Sequence, residues 1–445
     1  MSELRVGFGM QDITPALGCY LQGNPKVRIA QSVHDPLYVR CVIFENQGIA
    51  VLLYFDLIGI RQELAEDIRA YTALQLGCDR KDVFVCATHT HTGPNMHAVA
   101  FPTDETYKQR LPQLAAQAAI IAKNDLHLAQ LHFAQDTLPG ITFVRRYLMK
   151  DGTCRTNPGR RNPDIVRPMS PADEGIQLLK ITRKDAGDIA LINFQCHPDV
   201  VKSDMEIPAI SADYPGMVCS VLESAIPGLS CMYCNGTAGD LNSADVHCPE
   251  WDRNTGIEHA LHMARNIAGK ILSLYTKARP LDGSIVKTSE QLVELPRKKA
   301  TSEQIARSQK IVDAYAANQL DIIPGKPGTM EFITSLYEAR MYLGSGRDGI
   351  PAQVRVSAFR IGDFAAAGLP GEPFCQIGMD IKNTSPFPAQ FTLGLTNGCQ
   401  GYFPSEEAFG VNGYEARTSS FMPCVAQRLT DAAIQLLQEL KEDAK

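Results

Sequence analysis

Val83-Phe84-Val85-Cys86-Ala87-Thr88-His89-Thr90-His91-Thr92-Gly93-Pro94 begins as an apolar run and ends in two histidines and a Gly-Pro pair. The run Val83–Cys86 reads as a strand, and Gly93-Pro94 turns the chain away from it. On an extended segment, histidines two residues apart point to one face, about 7 Å apart along the chain. Two histidines within three residues, out of ten in the whole chain, suit metal binding or acid–base work better than a passive loop.

Working outward, short apolar runs recur at Arg5–Gly9, Tyr38–Glu45, Ala50–Phe55, Ile189–Cys196, Ser230–Cys234, Phe364–Gly368 and Phe391–Leu395. Between them, apolar residues at three- and four-residue spacing predict helices over Arg61–Leu76, Leu111–Ala122, Gly256–Thr276, Ser302–Asn318 and Cys424–Lys441. The last carries Val425, Leu429, Ala432, Leu436, Leu437 and Leu440 on one stripe, the face a helix uses to cover a sheet. Alternation of this kind predicts an α/β protein, a mixed β-sheet core flanked by helices. Leu148–Glu174, rich in Pro, Gly, Asn and Arg, reads as a long loop. Pro280–Gly328 reads as a charged, weakly structured segment holding a helical excursion.

Length alone suggests about three domains for 445 residues. The composition, 44% apolar and 21% charged, is that of a soluble globular protein and excludes a disordered, collagen-like or coiled-coil chain. A net charge of −6 leaves no basic surplus for a nucleic-acid or anionic-membrane surface. Thirteen cysteines, many of them inside apolar runs, read as small buried hydrophobes in a reducing compartment. The first 30 residues hold no apolar run long enough for a signal peptide. Nor does any stretch reach the roughly 18 apolar residues of a membrane span. The expectation is a cytoplasmic protein with a small-molecule substrate, no nucleic-acid or membrane partner, and oligomerisation left open.

Three further motifs sit where apolar runs end. Asn193-Phe194-Gln195-Cys196-His197-Pro198 offers a third imidazole, and Leu369-Pro370-Gly371-Glu372-Pro373 a carboxylate after a Pro-Gly turn. Leu395-Thr396-Asn397-Gly398-Cys399-Gln400-Gly401-Tyr402 offers a tyrosine. Each alone has an ordinary explanation: a satisfied histidine, a carboxylate complementing a helix dipole, a packed aromatic. Together they make a site only if four strand ends meet at one sheet edge, where α/β proteins place their ligands. Three independent domains cannot do that, so the expectation becomes one catalytic domain over residues 1–445.

With these motifs in this order, the sequence resembles the catalytic domain of the neutral/alkaline ceramidase family, whose members are zinc-dependent amidases. Gly7-Phe8-Gly9-Met10-Gln11-Asp12-Ile13-Thr14 is similar to the family's opening G-x-G-x-x-D-I-T. His89-Thr90-His91-Thr92-Gly93-Pro94 is similar to its His-Thr-His-Ser-Gly-Pro. The resemblance implies one Zn²⁺ per chain, held by His89, His197, Glu372 and Tyr402. It makes His91 a group that either supports a ligand from behind or acts on the transition state, Arg145 a substrate-binding residue, and Tyr414-Glu415 a pair beside the site. Three departures stand out. Gly239-Asp240-Leu241-Asn242-Ser243 lies where the family has Gly-Asp-Val-Ser-Pro, so Asn242 replaces the active-site serine. Only 31 residues follow Tyr414, mostly one amphipathic helix, so the family's C-terminal immunoglobulin-like domain is expected to be absent. Cys399 occupies the first tyrosine position of the family's L-S-N-x-Y-x-x-Y.

Two neutral imidazoles and a carboxylate form a catalytic-type zinc set with room for water and substrate. The expected activity is hydrolysis of an amide, ester or lactone of a small polar molecule by metal-activated water. His91 is then placed to donate to an oxyanion or shuttle a proton, and Asp240 to orient a ligand or accept a proton. Asn242 can hydrogen-bond substrate or oxyanion but is no nucleophile, and Ser243 points the other way if the segment is extended. Hydrolytic C–C cleavage of a diketo or cyclic sugar derivative uses the same chemistry, and a non-catalytic metal-binding protein is a further alternative.

Other candidates are weaker. Glu258-His259-Ala260-Leu261-His262 lacks the His-Glu-x-x-His order of zincins, and Cys231-Met232-Tyr233-Cys234 has no second cysteine pair. No Gly-x-Ser-x-Gly elbow is present. Arg145, Arg146, Arg155, Arg160, Arg161 and Arg167 read either as a clamp for a carboxylate or phosphate or as a solvated loop.

Overall fold

Ile49–Phe55 and Val83–Ala87 are apolar at nearly every position because both of their faces are covered, which removes the polar side of a half-exposed strand. The computed structural model describes residues 3–24, 26–97, 102–201, 207–252 and 254–442. Within it, eight strands of the large sheet lie in the order Ser230–Asn235, Ile189–Phe194, Gly175–Arg183, His127–Thr137, Arg5–Asp12, Tyr38–Glu45, Ile49–Phe55 and Val83–Ala87. Arg279–Leu281 adds a ninth beside His127–Thr137. The outermost pair at each end is parallel and the rest are antiparallel, so the sheet is mixed.

A second sheet comprises Val286–Leu295, Ala352–Ile361, Phe364–Gly368 and Ala389–Leu393, the last two parallel. Its Phe359, Phe364 and Phe391 share one buried cluster with Phe44, Tyr54, Phe84, Leu179 and Met232 of the large sheet. Helices cover the outer faces. Gln62–Leu76 and Glu105–Asn124 cover one half of the large sheet, and Asp213–Ala225 and Ile257–Tyr275 the other. Gly7 and Gly9 let Glu105–Asn124 lie close: a Cβ there would sit 1.9 and 2.0 Å from the carbonyl oxygens of Ala122 and Ala118.

The C-terminal helix Val425–Glu442 covers the second sheet with the stripe read from its sequence. Its Leu429, Leu436, Leu437 and Leu440 are at most 2% exposed, and each contributes about 1.5–3 kcal/mol by leaving water. All five predicted helices form, with Leu111–Ala122 lengthened to Glu105–Asn124 by an Asp104 cap.

Two segments differ from their reading. Within 148–174, the pieces Cys154–Thr156 and Ile165–Pro168 pair with Arg146–Met149 in a small sheet, so this is no plain loop. Within 280–328, besides the helix Ser302–Ala316, runs the strand Val286–Leu295 at the edge of the second sheet. Its charges suggest weak structure only because the partners are remote: Glu290 meets Arg69 and Arg355. The strands His127–Thr137, Gly175–Arg183 and Ala352–Ile361, and the helices Asp213–Ala225 and Met330–Leu343, also lie outside the predicted elements. No helix among the described residues is long and apolar enough to cross a membrane.

Parallel pairing aligns the chain ends that carry the chemical groups. Val83–Ala87, Ile189–Phe194, Phe364–Gly368 and Ala389–Leu393 each take part in a parallel pair, and the segments leaving their C-terminal ends carry His89, His197, Glu372 and Tyr402.

Candidate metal centre

Beyond Val83–Ala87, Thr88 and His89 donate their amides to the carbonyls of Phe55 and Leu57, each at 2.9 Å. His89 then takes φ +76°, which ends the extended run. The His-x-His pair is therefore not spread along a strand: its ring centroids are 4.9 Å apart and its Nε2 atoms 3.3 Å. A left-handed backbone at a residue other than glycine costs about 1–3 kcal/mol and persists only when its surroundings enforce it. Here the hydroxyls of Thr90 and Thr92 donate to Ser211 O at 2.7 and 2.9 Å, and the His91 amide donates to Pro198 O at 3.0 Å. The last bond ties the His89 loop to the loop that carries His197.

A backbone carbonyl orients each imidazole. His89 Nδ1 lies 2.5 Å from Ile58 O, His197 Nδ1 2.7 Å from Ala238 O, and His91 Nδ1 3.0 Å from Gly23 O. A carbonyl only accepts, so each Nδ1 holds the ring proton, and in a neutral ring Nε2 is bare. Burial, with Arg145 nearby, pushes His197 down to about 4, so that ring is neutral at pH 7. Nitrogens of His89, His91 and His197 lie within 4.8 Å of one another. Glu372 Oε2 is 3.3 Å from Nε2 of both His89 and His197.

The test of fit is in the unpartnered atoms. His197 Nε2 and Glu372 Oε2 are out of water, and neither makes a hydrogen bond of acceptable geometry among the described residues. Bare nitrogens facing a carboxylate repel one another, and burying such groups unpaired is costly. A divalent cation that takes nitrogen and oxygen ligands removes both penalties, and this donor set fits one.

The Glu372 and Tyr402 segments are joined by a short parallel pair in which these two residues are in register. The Tyr402 ring stacks on His197 with centroids 6.5 Å apart and planes 24° apart. The Arg145 guanidinium lies 5.4 Å from the Tyr402 ring centre, and Tyr414 meets Tyr402 edge-on at 5.5 Å. Arg145 is buried, donating Nε to Glu415 Oε1 at 2.8 Å and Nη2 to Gly239 O at 2.7 Å. The structure thus brings together His89, His91, His197, Glu372, Tyr402, Tyr414 and Arg145.

Two other candidates are occupied elsewhere. Asp240 Oδ1 accepts the Cys375 amide at 2.8 Å, at the first turn of the helix Cys375–Thr384. With Gly239 N donating to Pro373 O at 2.8 Å, it fixes the segment after Glu372. Asn242 Oδ1 accepts the Ala244 amide at 3.1 Å, and its Nδ2 donates to Asn157 Oδ1 at 2.8 Å. The arginine clamp does not form. Arg146 shares Glu415, Arg155 pairs with Asp151, and Arg161 pairs with Glu250. Arg160 bonds the Asp252 carbonyl, and Arg167 bonds the carbonyl of its neighbour Pro168. His259 and His262 stack with centroids 5.9 Å apart, and no third ligand-type group joins them among the described residues. Cys231 and Cys234 are buried free thiols.

The sequence reading also passes over His97, six residues past His91 in the same motif. Its Nδ1 is out of water without a partner among the described residues. Burial, reinforced by Arg61, pushes it down to about 4. A third histidine so close to the pair was the available signal.

No protein-family model and no curated protein sequence matches the chain. Among solved structures, neutral ceramidase from Pseudomonas aeruginosa aligns over 99% of this chain and 75% of its own, with a TM-score of 0.74 at 16% identity. A ceramidase complexed with C2 aligns over 100% of this chain and 76% of its own, with a TM-score of 0.75 at 16% identity. The architecture thus agrees with the resemblance carried by the motifs: the chain has the fold of neutral ceramidase, a large mixed sheet flanked by helices.

Proposed function

We propose that the chain is a zinc-dependent hydrolase that cleaves an amide, ester or lactone of a small polar substrate. The observation that carries this reading is the convergence of carbonyl-oriented imidazoles on the buried Glu372 carboxylate. His89, His197, Glu372 and Tyr402 would hold one Zn²⁺. Such an ion supplies Lewis acidity and a bound water whose pKa falls to about 7.

The chain's own groups divide the remaining work. His91 commits its Nδ1 proton to Gly23 O, so its Nε2 is an acceptor. That atom takes the proton of the attacking water and returns it to the leaving group, as a general base and then a general acid. Arg145, held by Glu415, stacks over Tyr402 and fixes that ring against His197. Asp240 acts at one remove, by anchoring the segment that follows Glu372.

Asn242 provides no nucleophile, and both ends of its amide are engaged within the protein. Direct attack by water therefore replaces a covalent acyl-enzyme. The test is a panel of simple amides, p-nitrophenyl esters and small lactones. Turnover should vanish with a chelator, return with Zn²⁺, ignore serine-directed phosphonylating reagents and survive Ser243→Ala. Ceramide should be a poorer substrate than the small compounds. Chelator-resistant turnover, or an acyl-Ser243 adduct in mass spectrometry, refutes the reading.

A further inference from the structure

An arc of nitrogen donors borders the histidine side of the centre. Arg28 donates Nη2 to the carbonyls of His91 and Gln22, at 2.7 and 2.5 Å. Gln22 Oε1 accepts the Met96 amide at 2.7 Å, which places His97 next along the arc. Arg61 follows Ile58, whose carbonyl orients His89, and Gly59, which packs against Cys399: a Cβ on Gly59 would sit 2.7 Å from its sulfur. The next residue, Gln62, is bonded to Gln400 at 3.0 Å. Arg61 therefore stands between the segment that holds His89 and the one that leads to Tyr402. His97 lies within electrostatic reach of both Arg61 and Glu372.

These groups lack what buried or crowded cations ordinarily have. Among the described residues, neither Arg28 nor Arg61 forms an ion pair, whereas Arg145 across the centre is paired with Glu415. Arg28 Nε and His97 Nδ1 are both out of water and without partners among the described residues. Unpaired charge and unmet hydrogen-bonding groups beside a substrate site are the complement of an anionic ligand. The planar guanidinium of Arg61 can match a carboxylate through two parallel hydrogen bonds, and Arg28, whose Nη2 is taken by two carbonyls, offers its Nε.

Building on the hydrolase reading, we infer that Arg61, Arg28 and His97 bind a carboxylate of the substrate, so the substrate is a small acid bearing the cleavable bond close to its carboxylate. Arg61 is exposed and meets the incoming acid first, while Arg28 and His97 are half-buried, with Arg28 Nε and His97 Nδ1 out of water. The protein's net charge of −6 makes this local pair of arginines, with the neutral His97 beside them, a selective feature rather than part of a general basic surface.

The experiment uses metal-loaded full-length protein and matched pairs of ligands, N-acetylated amino acids and their uncharged amides, measured by calorimetric titration. Their kcat/KM values are measured in parallel. The acids should bind about tenfold or more tighter than the amides, the scale of a hydrogen bond to a charged group. Arg61→Gln and Arg28→Gln should each shrink that ratio, mainly through KM, with metal content and circular dichroism unchanged. Arg155→Gln, on the surface beside Asp151, should leave it unchanged. Equal binding of acids and amides overturns the inference, as does a preference insensitive to Arg61→Gln and Arg28→Gln. Stronger competition by inorganic phosphate than by the acids overturns the carboxylate assignment. Turnover of amides in preference to acids sinks this inference and leaves the hydrolase reading standing. Acids bound through Arg61 but never cleaved sink the hydrolase reading and leave this one standing.

Discussion

Replacing Glu415 with alanine removes the carboxylate shared by two buried arginines. Glu415 Oε1 accepts from Arg145 Nε at 2.8 Å, and Oε2 accepts from Thr156 Oγ1 at 2.8 Å and lies 3.5 Å from Arg146 Nε. Glu415 is fully buried, and Arg145 and Arg146 are 5% and 3% exposed. Removing one partner of a buried pair costs about 3–5 kcal/mol, because the survivor is left charged and out of water. Two survivors put this case at the upper end, about 4–5 kcal/mol. At about 2.1 cal/mol/K per residue, 445 residues give an unfolding entropy of about 0.9 kcal/mol/K. Tm should therefore fall by about 4–6 °C in calorimetry. Metal affinity, measured by competition with a chelator, should fall about 10-fold or more as Arg145 and Tyr402 lose their anchor. Glu415→Gln, which keeps the acceptor and the volume, should lose less, and Glu415→Ala with Arg145→Met should recover part of the loss. A Tm shift under about 1 °C with unchanged metal affinity would refute the reasoning.

Gly23→Ala should displace His91 alone, since Gly23 has φ +92° and a Cβ there would sit 2.5 Å from the His91 ring. We expect kcat to fall about 100-fold with metal content intact, and loss of the metal would contradict that division of roles. His97 should make stability depend on pH: its pKa is about 4 folded against 6.5 unperturbed, so the unfolded chain binds a proton that the folded chain refuses. Stability should rise with pH between those values and be lost as pH falls through them, by about 1.4 kcal/mol per pH unit. Urea titrations should show His97→Gln flattening that slope, and an unchanged slope would exclude His97 as its source. The packing of Val425–Glu442 on the second sheet predicts that limited proteolysis releases no stable fragment from beyond Ala389. Such a fragment would contradict the expectation that residues 1–445 form one catalytic domain.

Central strands such as Ile49–Phe55 are legible in the sequence because burial on both faces leaves an unbroken apolar run. The edge strand Val286–Leu295 is not, since Glu290 and its neighbours serve ion pairs with Arg69 and Arg355 from other elements. The same contrast holds at the site. His89, His197, Glu372 and Tyr402 stand out as chemical groups just past apolar runs, and the fold brings those ends together. The φ of +76° at His89 is invisible beforehand, because the enforcing bonds come from Phe55, Leu57 and Ser211. Nor does spacing reveal that Arg145 pairs with a glutamate 270 residues away, or that the ring-orienting acceptors are the carbonyls of Ile58, Ala238 and Gly23. Carbonyls carry no side-chain signal, so geometry alone discloses them.

The central claim is most directly tested by elemental analysis of the protein purified without chelators, joined to X-ray absorption at the zinc edge. The account predicts one zinc per chain, with nitrogen and oxygen ligands at about 2.0–2.1 Å and no sulfur at about 2.3 Å. The double variant His89→Ala, His197→Ala should lose that zinc while keeping its circular dichroism. A metal-free protein that cannot be loaded with zinc, or an unchanged metal content in the double variant, would contradict the account.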